Sequence, residues 1–338
     1  MINFQYARAS DIADAVRQIA ADPKAKFIAG GTNLIDLMKE DVERPPRLID
    51  ITRLPLKSVE ETAEGGVRIG ALVPNSDLAY HALVAQRYPM LPSAILAGAS
   101  AQLRNMASTG GNLLQRTRCT YFYDIATPCN KREPGSGCSA IAGLNRMHAI
   151  LGTSEACIAT HPSDMCVALA ALDAKVHVAG PAGTRAIAFS DFHRLPENTP
   201  ERDTNLQPNE IVTAVELPAQ GFAANYTYLK IRDRLSYAFA LVSVAAALEL
   251  EGDTINEARL ALGGVAHKPW RDPSAEAALR GEIVNEATFT RAADVLLRDA
   301  KGFEHNAFKI DLARRAIVRA LAQAAAGTPQ SQSNKNIR

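Results

Sequence analysis

Ala29-Gly30-Gly31-Thr32-Asn33-Leu34 follows a predicted strand over residues 26–29 and opens a predicted helix over 34–40. A glycine pair at a strand-to-helix turn lets the backbone fold tightly and aim free N–H groups at an anion, and the helix N-terminus adds partial positive charge there. Thr32 contributes a hydroxyl and Asn33 an amide. The arrangement recurs far along the chain, in Ala107-Ser108-Thr109-Gly110-Gly111-Asn112. Two such loops, brought together, would grip a pyrophosphate from both sides. Neither matches G-x-G-x-x-G or G-x-x-x-x-G-K-S/T, so neither the Rossmann nor the P-loop reading is supported. A single glycine pair is most often only a turn; the recurrence beside hydroxyl and amide residues is what points to a phosphate-bearing ligand.

The 338 residues are 47% apolar and 22% charged, which excludes disorder as the main state and suggests about two domains. Thirty-seven basic against 36 acidic side chains give a net charge of +1, with no footprint for nucleic acid or a membrane surface. No apolar run approaches the roughly 18 residues of a membrane span. The opening MINFQYARASDIADAV has no basic region followed by an apolar stretch, so no secretory signal is expected.

The pattern divides the chain into residues 1–223 and 224–326. Residues 1–55 read as a βαβ-like part, with Ser10 capping a helix over 11–22 and a strand over 47–51. Residues 56–223 form a second part. It has strands over 67–72, 175–179 and 211–217, and helices over 76–84, 93–99 and 163–172, the last capped with help from Asp164. Beyond 224, strands over 226–231, 238–250 and 254–262 precede helices over 275–279, 286–299 and 307–325. The polar tail 327–338 is expected to be disordered.

All five cysteines, Cys119, Cys129, Cys138, Cys157 and Cys166, fall in one stretch rich in proline and glycine. An odd, clustered set argues against a disulfide framework in a chain this large. Structural zinc favours closely paired cysteines, and the gaps here are wide. Spacing alone leaves an iron–sulfur centre, zinc and inert thiols open. His148 and His161 read as ordinary hydrogen-bonded histidines, and Trp270 as packing or a subunit contact.

Ala29 to Leu34, Arg104 to Asn112 and Pro162-Ser163-Asp164 resemble, in order, the FAD-binding segments of the molybdenum hydroxylase flavoprotein subunits. Tyr228-Leu229-Lys230-Ile231-Arg232 and Gly263-Gly264-Val265-Ala266 resemble that family's C-terminal domain. The resemblance implies an α+β fold. A two-part FAD-binding domain of the vanillyl-alcohol-oxidase (PCMH) type would precede a C-terminal domain of a small antiparallel sheet with helices. It implies FAD held by Ala29, Gly30, Gly31, Thr32 and Asn33 from one side, and by Ala107, Ser108, Thr109, Gly110, Gly111 and Asn112 from the other. Asp164 would contact the ribityl region, with Leu34 and Lys230 near the flavin.

Residues 113–161 resemble the [4Fe–4S] insertion of a minority of members, most closely the aldehyde oxidoreductase flavoprotein subunits. A cubane takes four of the five cysteines. Cys166 lies in an apolar helical stretch and is set aside, leaving Cys119, Cys129, Cys138 and Cys157 as ligands. The implied function is electron transfer in a molybdenum-dependent aldehyde oxidoreductase. Electrons would come from a small [2Fe–2S] subunit beside a large molybdenum-cofactor subunit, and leave for an external acceptor. By the same resemblance the complex is periplasmic, co-exported on a partner's twin-arginine signal, with the cytoplasm as the alternative. A stand-alone FAD oxidoreductase, and a xanthine-dehydrogenase-like subunit passing electrons to NAD, are the alternative functions.

Overall fold

The computed structural model describes residues 1–235 and 237–332. Three short strands, β1 (Gln5–Arg8), β2 (Lys26–Ile28) and β3 (Arg47–Asp50), pair in parallel in the order β1-β3-β2. Helices α1 (Ile12–Ala21) and α2 (Leu34–Lys39) make the crossovers, completing the expected βαβ part. β1 is largely exposed, so its sequence carries no alternation that announces it. The cap of α1 is Asp11, not Ser10: Asp11 accepts from the Asp14 amide at 2.7 Å, while the Ser10 amide donates to the Asp14 carboxylate at 3.0 Å. This reciprocal pair satisfies donors at the helix start.

The second part is built on a five-stranded antiparallel sheet, β4 (Val59–Glu61), β5 (Val67–Gly70), β6 (Lys175–Gly180), β7 (Gly183–Ala188) and β8 (Ile211–Leu217), in the order β4-β5-β8-β6-β7. Between β5 and β6 come α3 (Asn75–Tyr80), α4 (Ala82–Arg87), α5 (Met90–Ala97), α6 (Ala101–Met106), α7 (Thr109–Leu113), α8 (Thr120–Tyr123) and α9 (Asp164–Ala171). The single helix expected over 76–84 is two, because His81 between α3 and α4 is extended. The second glycine pair is not a free loop but lies within α7, whose N-cap Ser108 accepts from the Gly111 amide at 3.3 Å. α9 is capped by Ser163, which accepts from Cys166 N at 3.0 Å, so Asp164 is its first helical residue rather than its cap. α9 is apolar all round and buried in the core, where Cys166 packs as a small hydrophobe. α10 (Phe189–Phe192) follows β7.

The last sheet is an antiparallel meander, β12-β11-β10-β9: β9 (Tyr226–Ile231), β10 (Val242–Glu251), β11 (Thr254–Gly263) and β12 (Trp270–Arg271). β10 starts at Val242, later than expected. Its alternate residues serve two cores: Ala245 and Ala247 face the core of the second part, while Val244, Ala246 and Leu248 face a C-terminal core. That double burial explains a strand apolar on both faces. α11 (Pro273–Ala277), α12 (Glu286–Leu296) and α13 (Phe308–Ala325) complete the C-terminal part. Of the tail expected to be disordered, residues 333–338 lie outside the described residues. Gln330 bonds along β9, accepting from the Lys230 amide at 2.9 Å and donating its own amide to Thr227 at 3.0 Å. No helix among the described residues is long and apolar enough to cross a membrane.

Candidate functional site: a groove between two glycine pairs and a thiol-lined cavity

The two glycine segments meet. A Cβ built on Gly30 would lie 1.7 Å from the Met106 carbonyl oxygen, so the first loop is pressed against the backbone that leads into the second. Only glycine fits there, and Gly31 follows with φ +73°, a conformation that L side chains rarely adopt. From this junction one cavity of about 710 Å³ and another of about 400 Å³ extend, both lined by Thr32, Asn33 and Gly111. Their size suits a dinucleotide rather than a single ion.

Five consecutive backbone N–H groups, those of Gly30, Gly31, Thr32, Asn33 and Leu34, have no acceptor among the described residues. They open α2, where an anion is favoured. Asn33 reaches across to the chain just past the second segment, its Oδ1 accepting from Arg116 N at 3.0 Å. Its buried Nδ2 has no partner among the described residues, a donor left for a ligand. The second side differs from the expectation of free amides. Gly110 N is spent on the Ala71 carbonyl at 2.8 Å and Gly111 N on Ser108 Oγ. This side supplies close approach and side-chain polarity instead: Asn112 lines the larger cavity, and its Oδ1 accepts from Ser163 Oγ at 2.5 Å.

Of the residues anticipated for FAD, Ala29, Gly30, Gly31, Leu34, Ser108 and Gly110 line the smaller cavity, and Ala107, Asn112, Asp164 and Lys230 the larger. Leu34 and Lys230, both expected near the flavin, therefore line different cavities. Thr109 lines neither: its buried hydroxyl donates to the Val73 carbonyl at 2.9 Å, so it ties α7 to the core. Asp164 and Lys230 form one buried unit. Asp164 accepts from Lys230 Nζ at 2.8 Å and from Tyr228 Oη at 2.7 Å, and Lys230 also donates to the Ala97 carbonyl at 3.1 Å. A carboxylate has about four lone-pair sites, so Asp164 keeps capacity for a ligand hydroxyl. Sequence reasoning missed Asn75, Arg118, Tyr237 and Phe239, which also line the larger cavity. Arg118 stacks over Phe239 with 5.4 Å to the ring centroid. Only tertiary packing brings these residues to the groove.

The irregular segment brings four thiols to one place. Cys119 precedes α8, Cys129 and Cys138 pair through an antiparallel backbone bridge across an eight-residue loop, and Cys157 pairs likewise with Ser154. All four line one small cavity of about 10 Å³, together with buried Lys131. Burial pushes the Cys119 thiol up to about 12 and the Cys157 thiol to about 11. Thiols this far from ionisation become thiolates only beside a cationic centre. The donor set, all sulfur and without carboxylate, is one that holds iron–sulfur clusters or zinc. Among the described residues no three of these four sulfurs come within 4.8 Å of one another, which is wide for a single tetrahedral ion with bonds of about 2.3 Å.

Cys166 lies elsewhere, its thiol within 4.8 Å of ligand atoms of His161 and His193. Burial depresses His193 and His267 to about 4 each, His267 with help from the Lys131 ammonium. The unfolded chain protonates these imidazoles as pH falls through about 6.5, and the folded chain only near 4. Their contribution to stability is therefore full above pH 6.5 and lost as pH falls toward 4. Each is worth on the order of 1–3 kcal/mol. Thermal unfolding followed from pH 7 to pH 4.5 is expected to show a steep fall in Tm, shallower in His193→Gln. Parallel curves would contradict this origin of acid lability.

The family model described as the FAD binding domain in molybdopterin dehydrogenase matches residues 2–220, and that of the CO dehydrogenase flavoprotein C-terminal domain matches residues 226–324. The chain is 52% identical over 324 residues to the aldehyde oxidoreductase FAD-binding subunit PaoB of Escherichia coli, covering 96% of this chain and 98% of that one. It is 28% identical to the glyceraldehyde dehydrogenase medium chain of Sulfolobus acidocaldarius, over 84% of this chain and 83% of that one. Among solved structures, carbon monoxide dehydrogenase from Hydrogenophaga pseudoflava superposes with TM-score 0.76 at 25% identity, covering 96% of this chain and 99% of that one. With both halves of the groove and the C-terminal meander accounted for, the chain belongs to the family of FAD-binding medium subunits of the molybdenum hydroxylases.

Proposed function

We propose that this chain is the FAD- and [4Fe–4S]-carrying subunit of a molybdenum-dependent aldehyde oxidoreductase. It would stand between a small [2Fe–2S] subunit, which hands it electrons drawn from a large molybdenum-cofactor subunit, and an external acceptor. The observation that carries the reading is the row of five N–H groups from Gly30 to Leu34 that find no acceptor among the described residues, on residues that line cavities of dinucleotide size. The likeness to PaoB over nearly the whole chain supports the aldehyde class and the partners. FAD, when bound, supplies the means to take up electrons in pairs and release them singly.

The chain's own residues would do the positioning. The amides of Gly30 to Leu34 would hold the diphosphate with help from Asn33 Nδ2. The absence of a Cβ at Gly30 lets the two walls close. Asp164 would orient ribityl hydroxyls, itself fixed by Lys230 and Tyr228. Lys230 places a cation beside the groove, favouring added negative charge there. For the cluster, Cys119, Cys129, Cys138 and Cys157 would be the ligands, and Lys131 in the cavity wall would offset their charge.

An absorption spectrum with iron and sulfide analysis on the purified chain tests this. One flavin and about four irons per chain are expected. Cys119→Ser should lose the iron and keep the flavin, whereas Cys166→Ala should keep both. Iron retained in Cys119→Ser, or lost in Cys166→Ala, would show the ligand set to be wrong. Colourless protein containing zinc would remove the redox role.

A further inference from the structure

Resting on the cluster reading above, we propose that His148 tunes the four-cysteine centre by donating an Nε2–H···S hydrogen bond to Cys119, and that Lys309 of the C-terminal part is its positioning residue. His148 Nε2 lies 3.1 Å from Cys119 Sγ. The ring is 5% exposed, and Nδ1 has no partner among the described residues. A neutral imidazole carries one proton, and here only the Nε2 side faces an acceptor. A metal-bound cysteine sulfur is a thiolate and accepts it.

The cysteine segment does not fix this ring alone. The His148 amide donates to the Asn145 carbonyl at 2.9 Å. The His148 carbonyl accepts from Lys309 Nζ at 2.8 Å and from Asn306 Nδ2 at 3.3 Å. Lys309 Nζ also donates to the Gly264 carbonyl at 2.5 Å. Lys309 is fully buried, and no carboxylate pairs with it among the described residues. A buried ammonium without a counter-ion is costly. Burial pulls the Lys309 pKa down to about 7, and its hydrogen bonds to the His148 and Gly264 carbonyls are what seat it beside the ring. Adding an electron to such a cluster makes it more anionic. An N–H donor on its sulfur stabilises the reduced form and raises the potential, and Lys309 acts by holding the His148 backbone that aims this donor.

The test is a dithionite titration followed by EPR on the full chain with its flavin, with iron, sulfide and flavin counted. Wild type, His148→Leu, His148→Gln and Lys309→Met would be compared. All four are expected to keep wild-type iron and flavin. His148→Leu and Lys309→Met should shift the midpoint potential to more negative values. His148→Gln, whose amide still donates, should restore most of the wild-type value. An unchanged potential in His148→Leu at full iron content overturns the proposal. So does loss of iron from both His148 variants, which would make His148 a ligand. If His148→Leu fails to fold, Lys309→Met decides: a more negative potential at full iron supports the proposal, and an unchanged one overturns it. Iron-free wild-type protein would instead defeat the cluster reading itself, before any variant is compared.

Discussion

Gly30→Ala is expected to purify with less than a tenth of the wild-type flavin. The new Cβ would stand 1.7 Å from the Met106 carbonyl oxygen and 2.7 Å from its carbon, both backbone atoms that no rotamer change can move aside. Real Cβ atoms essentially never come within 3.0 Å of such atoms, so the two walls must part by more than an ångström. That displacement takes the Gly31 to Leu34 amides out of hydrogen-bonding reach of a diphosphate still seated on the second wall. Hydrogen bonds to a charged partner are each worth roughly 1.5–3 kcal/mol. Losing two costs about 3–6 kcal/mol, or more than 100-fold in affinity. The flavin-to-protein absorbance ratio of freshly purified protein measures this, with circular dichroism as the check on folding. A wild-type ratio would mean that the junction of the loops does not build the flavin site.

The glycine pairs were legible in sequence because their meaning is local: a tight turn before a helix leaves amides free wherever it occurs. Even so, only one of the two behaves that way. Ser108 caps α7 and takes the Gly111 amide, which turns the second pair into a close-approach surface rather than an anion nest. Thr109 differs for a related reason: in sequence it is a hydroxyl beside glycines, but its place in the helix turns that hydroxyl to Val73. The C-terminal meander was legible because β10 and β11 are long, apolar and joined at Gly252-Asp253, whereas β1 and β7 are mostly exposed and leave no pattern. No spacing rule could reveal the pairing of His148 with Cys119 or the reach of Lys309 to His148. The first depends on how the irregular segment 113–161 folds on itself, the second on how the C-terminal part docks on it. The same holds for Tyr228 and Lys230 on β9, which meet Asp164 only when the C-terminal sheet packs against α9.

That last meeting sets the second large effect. Asp164→Ala is expected to lower the unfolding temperature by roughly 6–20 °C. Removing one member of a buried ion pair costs about 3–5 kcal/mol, and each kcal/mol is worth about 2–4 °C in a domain of 150–250 residues. The Lys230 side chain is 1% exposed, so its ammonium cannot turn to water and would keep only the Ala97 carbonyl. Tyr228, fully buried, would lose the acceptor for its hydroxyl at the same moment. Asp164→Ala combined with Lys230→Met removes the stranded charge, and should recover a large part of the lost stability while leaving flavin binding weak. This separation matters, because stability reports the ion pair and flavin content reports the groove. Thermal unfolding of the single and double variants, each scored for bound flavin, distinguishes them. If Asp164→Ala melts with wild type, Asp164 and Lys230 are not the buried pair that joins the C-terminal sheet to the flavin groove. If the double variant regains its flavin as well, Asp164 serves the groove only by neutralising Lys230, and its proposed contact with the ribityl hydroxyls is wrong.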